Sequence, residues 1–434
     1  MTEAFFKTTK EIIDEGYDNL ATEFVSNKHL IYSSPATLSF NSPGAKGYGV
    51  KRAGLAVPES VMLLVSPSCC GRNTSLFKSS PEYKNRFFFQ LLDDTDIVTG
   101  RHLTKINDAC GEILASLDKR PSAIMICITC VDALLGTDME RICRKVTETH
   151  NIPCVACYMY ALTREKRLSP MAYVRTSVYS LLEKQKRENR DMNIMGFFSP
   201  LNDKSEIYTL LKNAGIENIR ELARCETFEQ YKELSKANFN LVLNPESRHA
   251  AQDMQKRLGI PFIEMLRLYQ PDRIHNQYAL LANALGVKFD DSSYFENAKN
   301  KIAEFKNKHG ELRFAVGEIL NGDAIEIALM LVKEGFKVEC VFATIGELNY
   351  RFLKTLAELS PETKVYSNLS PTMLMYENDD IDCYIGSDCA YYFSDKPGIE
   401  WCDDTVQRYS SVSRISSLLS SRTYRSITTL PSHS

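Results

Sequence analysis

Two apolar runs of strand length, each leading into cysteine, constrain this chain more than anything else in it. The first is Val61-Met-Leu-Leu-Val-Ser-Pro-Ser-Cys69-Cys70-Gly71-Arg72-Asn73; the second is Ala123-Ile-Met-Ile-Cys127-Ile-Thr-Cys130. A short run with no polar alternation is the pattern of a strand buried on both faces, as in a parallel sheet covered by helices. Two such strands in one sheet bring Cys70 and Cys130 to one edge, although the chain keeps them sixty residues apart.

The rest of the chain extends the alternation. Helical spacing over 105–117 and 138–150 flanks the strand at 123–129; a further strand follows at 153–157, then a long helix predicted over 170–190. Later strands are expected at 192–200, 237–243, 313–319, 337–344 and 380–387, with helices over 205–213, 246–258 and 323–334. This order predicts an α/β fold with parallel sheets, in three units of similar plan. The expected divisions are a helical arm over 1–30, an α/β domain over 31–190 carrying both thiol-tipped strands, a second domain over 191–300, and a third over 301–434 ending in a Ser- and Arg-rich surface tail.

Composition excludes several classes. Lys plus Arg number 52 against 55 Asp plus Glu, with no long like-charge block, so neither nucleic acid nor an anionic membrane is an expected partner. No apolar run reaches the roughly 18 to 20 residues that cross a bilayer, and the first residues lack a signal-peptide core, so a cytoplasmic protein is expected. The Gly/Pro/Ser-rich loop over 33–58 has no GxxxxGK[ST], and the βαβ pattern over 313–344 has no GxGxxG. Thirteen cysteines in a reducing compartment are buried hydrophobes or ligands rather than disulfides. Strand alternation puts Cys127 opposite Cys130 and Cys69 opposite Cys70, which makes Cys127 a core residue and Cys69 a structural thiol or a spare ligand. Cys154 and Cys157 are assigned to the core in the same way. Asp94 and Asp96 are expected as solvated turn carboxylates, with an oxygen ligand or docking contact as the alternative. Asn244, His249 and Glu318 are weaker candidates at strand ends, and Trp401 with Tyr391-Tyr392-Phe393 fits a flat-ligand pocket or the core equally well.

Taken together these residues resemble the component 1 family of nitrogenase and nitrogenase-like reductases. Ser-Pro-Ser-Cys-Cys at 66–70 is similar to the family's strand end, with Cys70 on a cluster cysteine. Ile-Thr-Cys-Val-Asp-Ala-Leu-Leu-Gly-Thr-Asp at 128–138 is similar to its next cluster segment, with Cys130 on the cysteine, and 92–100 resembles the acidic stretch between them. The likeness covers roughly residues 30 to 400. It implies three Rossmann-like domains and an iron–sulfur cluster clasped between two component 1-type subunits, identical or paralogous. It also implies a separate ATP-hydrolysing iron protein as electron donor, so ATP chemistry belongs to a partner. The metal ligands implied are Cys70, Cys130 and, as a third, Cys69. Backbone N–H groups of Gly71, Arg72 and Asn73 would hydrogen-bond the cluster sulfurs, with Arg72 also facing the electron donor.

Two departures narrow the reading. No cysteine precedes Cys69, and Ser33, Ser34 and Gly44 stand where the family's first cluster cysteine is sought. Two cysteines from each of two chains make the four thiolates of a [4Fe–4S] cluster, which is the group expected. The large active-site cofactor of true nitrogenase would take a cysteine near Asn244-Pro245, and there is none. The expected function is therefore the catalytic component of an ATP-dependent, two-component, nitrogenase-like reductase, an oxidoreductase that does not fix nitrogen. The alternatives are a non-catalytic scaffold for metal-cofactor assembly, or a small-ligand-binding α/β protein with structural cysteines.

Overall fold

The apolar runs become strands. The computed structural model describes residues 3–25, 34–36, 54–67, 83, 85–158, 168, 170–319, 322–377, 379–400 and 412, and gives only the backbone of Cys130, Asp132, Ala133 and Pro170. Within them the strands are β1 (Phe6–Thr8), β2 (Val61–Ser66), β3 (Phe87–Leu91), β4 (Ile124–Ile128), β5 (Cys154–Tyr158), β6 (Glu188–Met195), β7 (Asn218–Glu221), β8 (Ala237–Val242), β9 (Phe262–Glu264), β10 (Arg313–Val316), β11 (Lys337–Phe342), β12 (Lys364–Tyr366), β13 (Cys383–Ile385) and β14 (Gly398–Ile399). They form three sheets, ordered β3-β2-β4-β5, β7-β6-β8-β9 and β1-β12-β11-β10-β13-β14. Every described pairing is parallel except β1 against β12. The fold is α/β, with three Rossmann-like domains.

Each sheet winds outward in two directions from a central pair. The order reverses between β2 and β4, between β6 and β8, and between β10 and β13. At such a switch point the loops leaving two neighbouring strands part company, opening a crevice outside their carboxyl ends. The chain condenses into two compact units. Asn41–Pro200 with Gly215–Leu266 holds the first two sheets, and Met1–Phe40, Leu201–Ala214 and Arg267–Ser434 hold the third.

In the two-sheet unit, alternation along β2 and β4 feeds two cores. Val61, Leu63, Val65, Ile124, Ile126 and Ile128 pack with the helices His102–Ser116 and Met139–His150. Met62, Leu64, Met125 and Cys127 face the other way, and join Val174 and Val178 of helix Pro170–Ser180 and Met195 and Val242 of the second sheet. Each such aliphatic side chain stabilises by about 1.5–3 kcal/mol on burial, which fixes the register of both strands. In the other unit, Asp323 caps helix Ala324–Lys333 by accepting the N–H of Ile325 and Glu326. Phe342, Tyr366, Tyr376, Tyr392 and Phe393 stack into one aromatic core.

Three elements differ from the sequence expectation. The helix predicted over 170–190 stops at Ser180, because the charged run from Glu183 to Arg190 has no apolar face to bury. Phe87–Leu91 is a strand beside β2. Among the described N-terminal residues the α-helix is the short Thr9–Glu15, and strand β1 closes the edge of the third sheet. Among the described residues no helix is long and apolar enough to cross a membrane.

Candidate functional site

The two cysteine-bearing strands are neighbours, and they flank the switch point of the first sheet. β2 and β4 run in register through Leu64 with Cys127 and Val65 with Ile128. Ser66, the last residue of β2, and Thr129, just past β4, are both buried, after which Cys130 opens the helical turn Cys130–Leu135. β2 is held on its other side as well, since Leu92 donates its N–H to the Ser66 carbonyl at 3.1 Å. The structure thus sets side by side the two strands that precede the predicted thiols in the sequence. Cys69, Cys70, Gly71, Arg72 and Asn73 themselves lie outside the described residues, as do Ser33, Gly44 and Trp401.

The remaining described thiols are of a different kind. Cys127 and Cys157 pair across β4 and β5 inside one core, and Cys110, Cys143 and Cys154 sit in the other. Burial pushes the Cys110 and Cys383 thiols up to about 12 and Cys225 to about 11. A hydrogen bond with Cys143, together with burial, raises Cys154 further. Thiols so disfavoured as anions are poor metal ligands. Among the described residues no group of three or more His, Cys, Asp or Glu could hold a metal ion. These buried core thiols do not fit an iron–sulfur group.

Of the two carboxylates expected in solvent, only Asp94 is exposed. Asp96 is fully buried and caps helix Asp94–Thr99 reciprocally with Asp93. Lys105 at 2.5 Å and Arg101 at 2.9 Å hold its carboxyl down to about 2. It is a structural anion whose burial is not legible in the sequence, because its partners Arg101 and Lys105 lie beyond its own helix.

The second switch point is built around a residue that the sequence reading passed over. Arg175, buried, donates to the Gly196 carbonyl and to Glu246 at 2.7 Å. The signal was there, since Arg175 is the one charged residue of helix Pro170–Ser180. Asn244, two residues past β8, accepts the Glu246 N–H through Oδ1, while His249 is exposed. At the third switch point, buried Asp388 accepts from the Glu318 N–H and the Asn368 amide, each at 2.7 Å. Gly386, at φ +131°, lies so close to Gly317 that a Cβ there would meet its carbonyl carbon at 2.6 Å. Ser34 gives its hydroxyl to Asn368 Oδ1 at 3.3 Å.

The sequence pattern of the nitrogenase component 1 type oxidoreductases matches residues 46–413. This chain belongs to that family. Among its relatives is the nitrogenase iron-molybdenum cofactor biosynthesis protein NifE of Clostridium pasteurianum, 22% identical over 82% of this chain and 80% of that protein. The NifE of Rhodobacter capsulatus is 25% identical over 46% of this chain, and the match spans less than half, 44%, of that protein. Solved structures of nitrogenase Cp1 share the fold: at pH 6.5 the TM-score is 0.66 at 14% identity, covering 94% of this chain and 95% of that one. With these relatives, and with Asn244 where the nitrogenase cofactor cysteine was sought, this component 1 type chain is nitrogenase-like rather than a nitrogenase.

Proposed function

We propose that this chain is a scaffold on which a metal–sulfur cofactor is assembled or carried, anchored by the thiolates of Cys70 and Cys130 with Cys69 as a spare. The observation that carries the reading is the likeness to a cofactor biosynthesis protein over four-fifths of the chain's length. It is supported by the in-register strand ends that lead to the two cysteines. When bound, an iron–sulfur group supplies low-potential one-electron chemistry. The chain's part is to hold it. Parallel strands buried on both faces fix the anchor points, and the backbone N–H groups of Gly71, Arg72 and Asn73 follow Cys70 as donors toward sulfur. Two thiolates fill half the ligand set of a [4Fe–4S] cluster, so a second component 1-type subunit completes it. An ATP-hydrolysing iron protein is the partner that delivers electrons.

The oxidoreductase description of the family favours a second reading, in which the same cluster relays electrons to an unidentified substrate. Anaerobic iron and sulfide quantification with EPR, on the wild type beside Cys70→Ser and Cys130→Ser, tests the anchor. Both variants are expected to lose iron, and retention of wild-type iron in both sinks the assignment. Uptake of a preassembled cluster by apo protein, with no reductant consumed when iron protein and ATP are added, is the scaffold outcome. Sustained ATP-dependent consumption of reductant is the reductase outcome.

A further inference from the structure

We infer that the Asp388 carboxylate is an internal ligand, which occupies the anion site at the third switch point and keeps that crevice shut. At a switch point the loops leaving two parallel strands separate, and backbone N–H groups there can hold the anionic end of a ligand. Here the two loops stay joined. Past the last strand pair, Val316 with Ile385, Gly317 donates its N–H to the Ile385 carbonyl at 2.7 Å, and Ser387 donates its N–H to the Glu318 carbonyl at 2.8 Å. The Ser387 hydroxyl donates to the same carbonyl at 3.1 Å.

The remaining donors converge on one side chain. Asp388 Oδ1 accepts the N–H of Glu318 at 2.7 Å and that of Cys389 at 2.8 Å, and Oδ2 accepts the Asn368 amide at 2.7 Å. An aspartate that is 1% exposed is ordinarily paired with a cation. These three partners are all neutral, and convergent neutral donors are a recognition set for a carboxylate or phosphate oxygen. Burial raises the Asp388 carboxyl, and the same donors oppose that rise by favouring the charged form. The backbone is shaped to the side chain as well, since a Cβ on Gly317 would stand 1.8 Å from Asp388 Oδ1. Asn368 carries the closure outward. Its Oδ1 accepts the Ser34 hydroxyl at 3.3 Å and its carbonyl accepts the Ser34 N–H at 3.1 Å. Carboxylate, amide and hydroxyl form one line from the crevice to Ser34.

The test uses the full chain free of metal, as wild type, Asp388→Ala and Asp388→Asn, with sodium formate or sodium chloride at equal ionic strength. Alanine removes one carboxylate group, and formate is that group as a free ion. Melting is measured beside hydrogen exchange of the peptides covering 313–319 and 387–392. Asp388→Ala is expected to melt several degrees below wild type. Its two peptides should exchange at least about tenfold faster, the equivalent of one lost hydrogen bond. Formate should reverse both changes saturably, as a ligand of the folded state does, and chloride should reverse neither. Asp388→Asn fills the space but sets an amide N–H₂ among donors, so it should melt below wild type and not respond to formate. An Asp388→Ala chain that melts with the wild type overturns the inference, because the carboxylate then holds nothing shut. Rescue by neither salt, or by both alike, also overturns it, leaving a packing loss or simple screening. If Asp388→Ala does not fold, Asp388→Asn decides, and melting equal to wild type overturns the inference. No cluster is present in these samples, so the outcome is independent of the scaffold reading.

Discussion

At the scale of single residues, the contrast between Cys127 and Cys130 is the sharpest consequence of the geometry. Their spacing reads as a CxxC, yet Cys127 is fully buried among Met62, Leu64 and Met125, while Cys130 stands past the strand end. Substituting serine at 127 buries a hydroxyl among apolar groups, a loss of about 1–3 kcal/mol. Cys127→Ser is therefore expected to melt several degrees lower than wild type and to bind the same iron per chain. Cys130→Ser is expected to do the reverse, melting near wild type as apo protein but losing iron. Equal iron loss in both would mean that the dithiol acts as a unit and that the burial argument is misplaced. Arg175 carries a related lesson. A lone guanidinium in an otherwise uncharged helix marks the position in the sequence, and the fold supplies its partners, the Gly196 carbonyl and Glu246.

At the scale of elements, what was legible depended on whether burial is two-sided. β2, β4 and β5 stand out because a strand covered on both faces is apolar throughout, and helix Met139–His150 because Asp138 caps it and one stripe is apolar. β1, β9, β12 and β14 were missed since each has only two or three residues, too few to show a period. β3 was missed because Phe87-Phe-Phe-Gln-Leu borders an acidic turn and reads as its lead-in. The thiols of the candidate site were visible as strand tips. Helix Ala324–Lys333 makes a prediction of its own. Glu326, wholly buried, accepts the Tyr269 N–H at 2.9 Å and the Gln270 amide at 3.0 Å, and burial pushes its carboxyl up to about 7. A carboxyl raised in the fold adds stability that is fully present below its unfolded value near 4.5, and that stability is lost as pH rises through 7. The span of the effect is about 3 kcal/mol at most. The melting difference of Glu326→Gln minus wild type should therefore grow more positive between pH 5 and pH 8. A difference flat across that range would show that Glu326 stays ionised.

At the scale of the whole molecule, the question is what closes over the thiolates, and the ligand count bears on it directly. On the scaffold reading proposed above, two cysteines fill half the ligand set of a four-iron cluster, and the remaining sulfur would come from another polypeptide. The carboxyl rim of the first sheet has the surface for such a contact. Val98, in the helix that follows β3, is 85% exposed, and Leu134, in the turn that Cys130 opens, is 76% exposed. Leu91 at the end of β3 and Leu135 beside Leu134 are also exposed. Large apolar side chains collected on one rim are characteristic of contact surfaces. Replacing Val98 and Leu134 together with glutamate removes roughly 1.5–3 kcal/mol of burial at each position and charges the rim. Since 1.4 kcal/mol is a factor of ten, the association should weaken by at least about a hundredfold. Light scattering after anaerobic gel filtration should then show single chains where the wild type is associated. Iron content should fall in the same fractions, because each separated chain retains only half a ligand set. Single chains that keep the full iron of the wild type would show that one polypeptide suffices, and the missing ligands would then have to be sought within this chain.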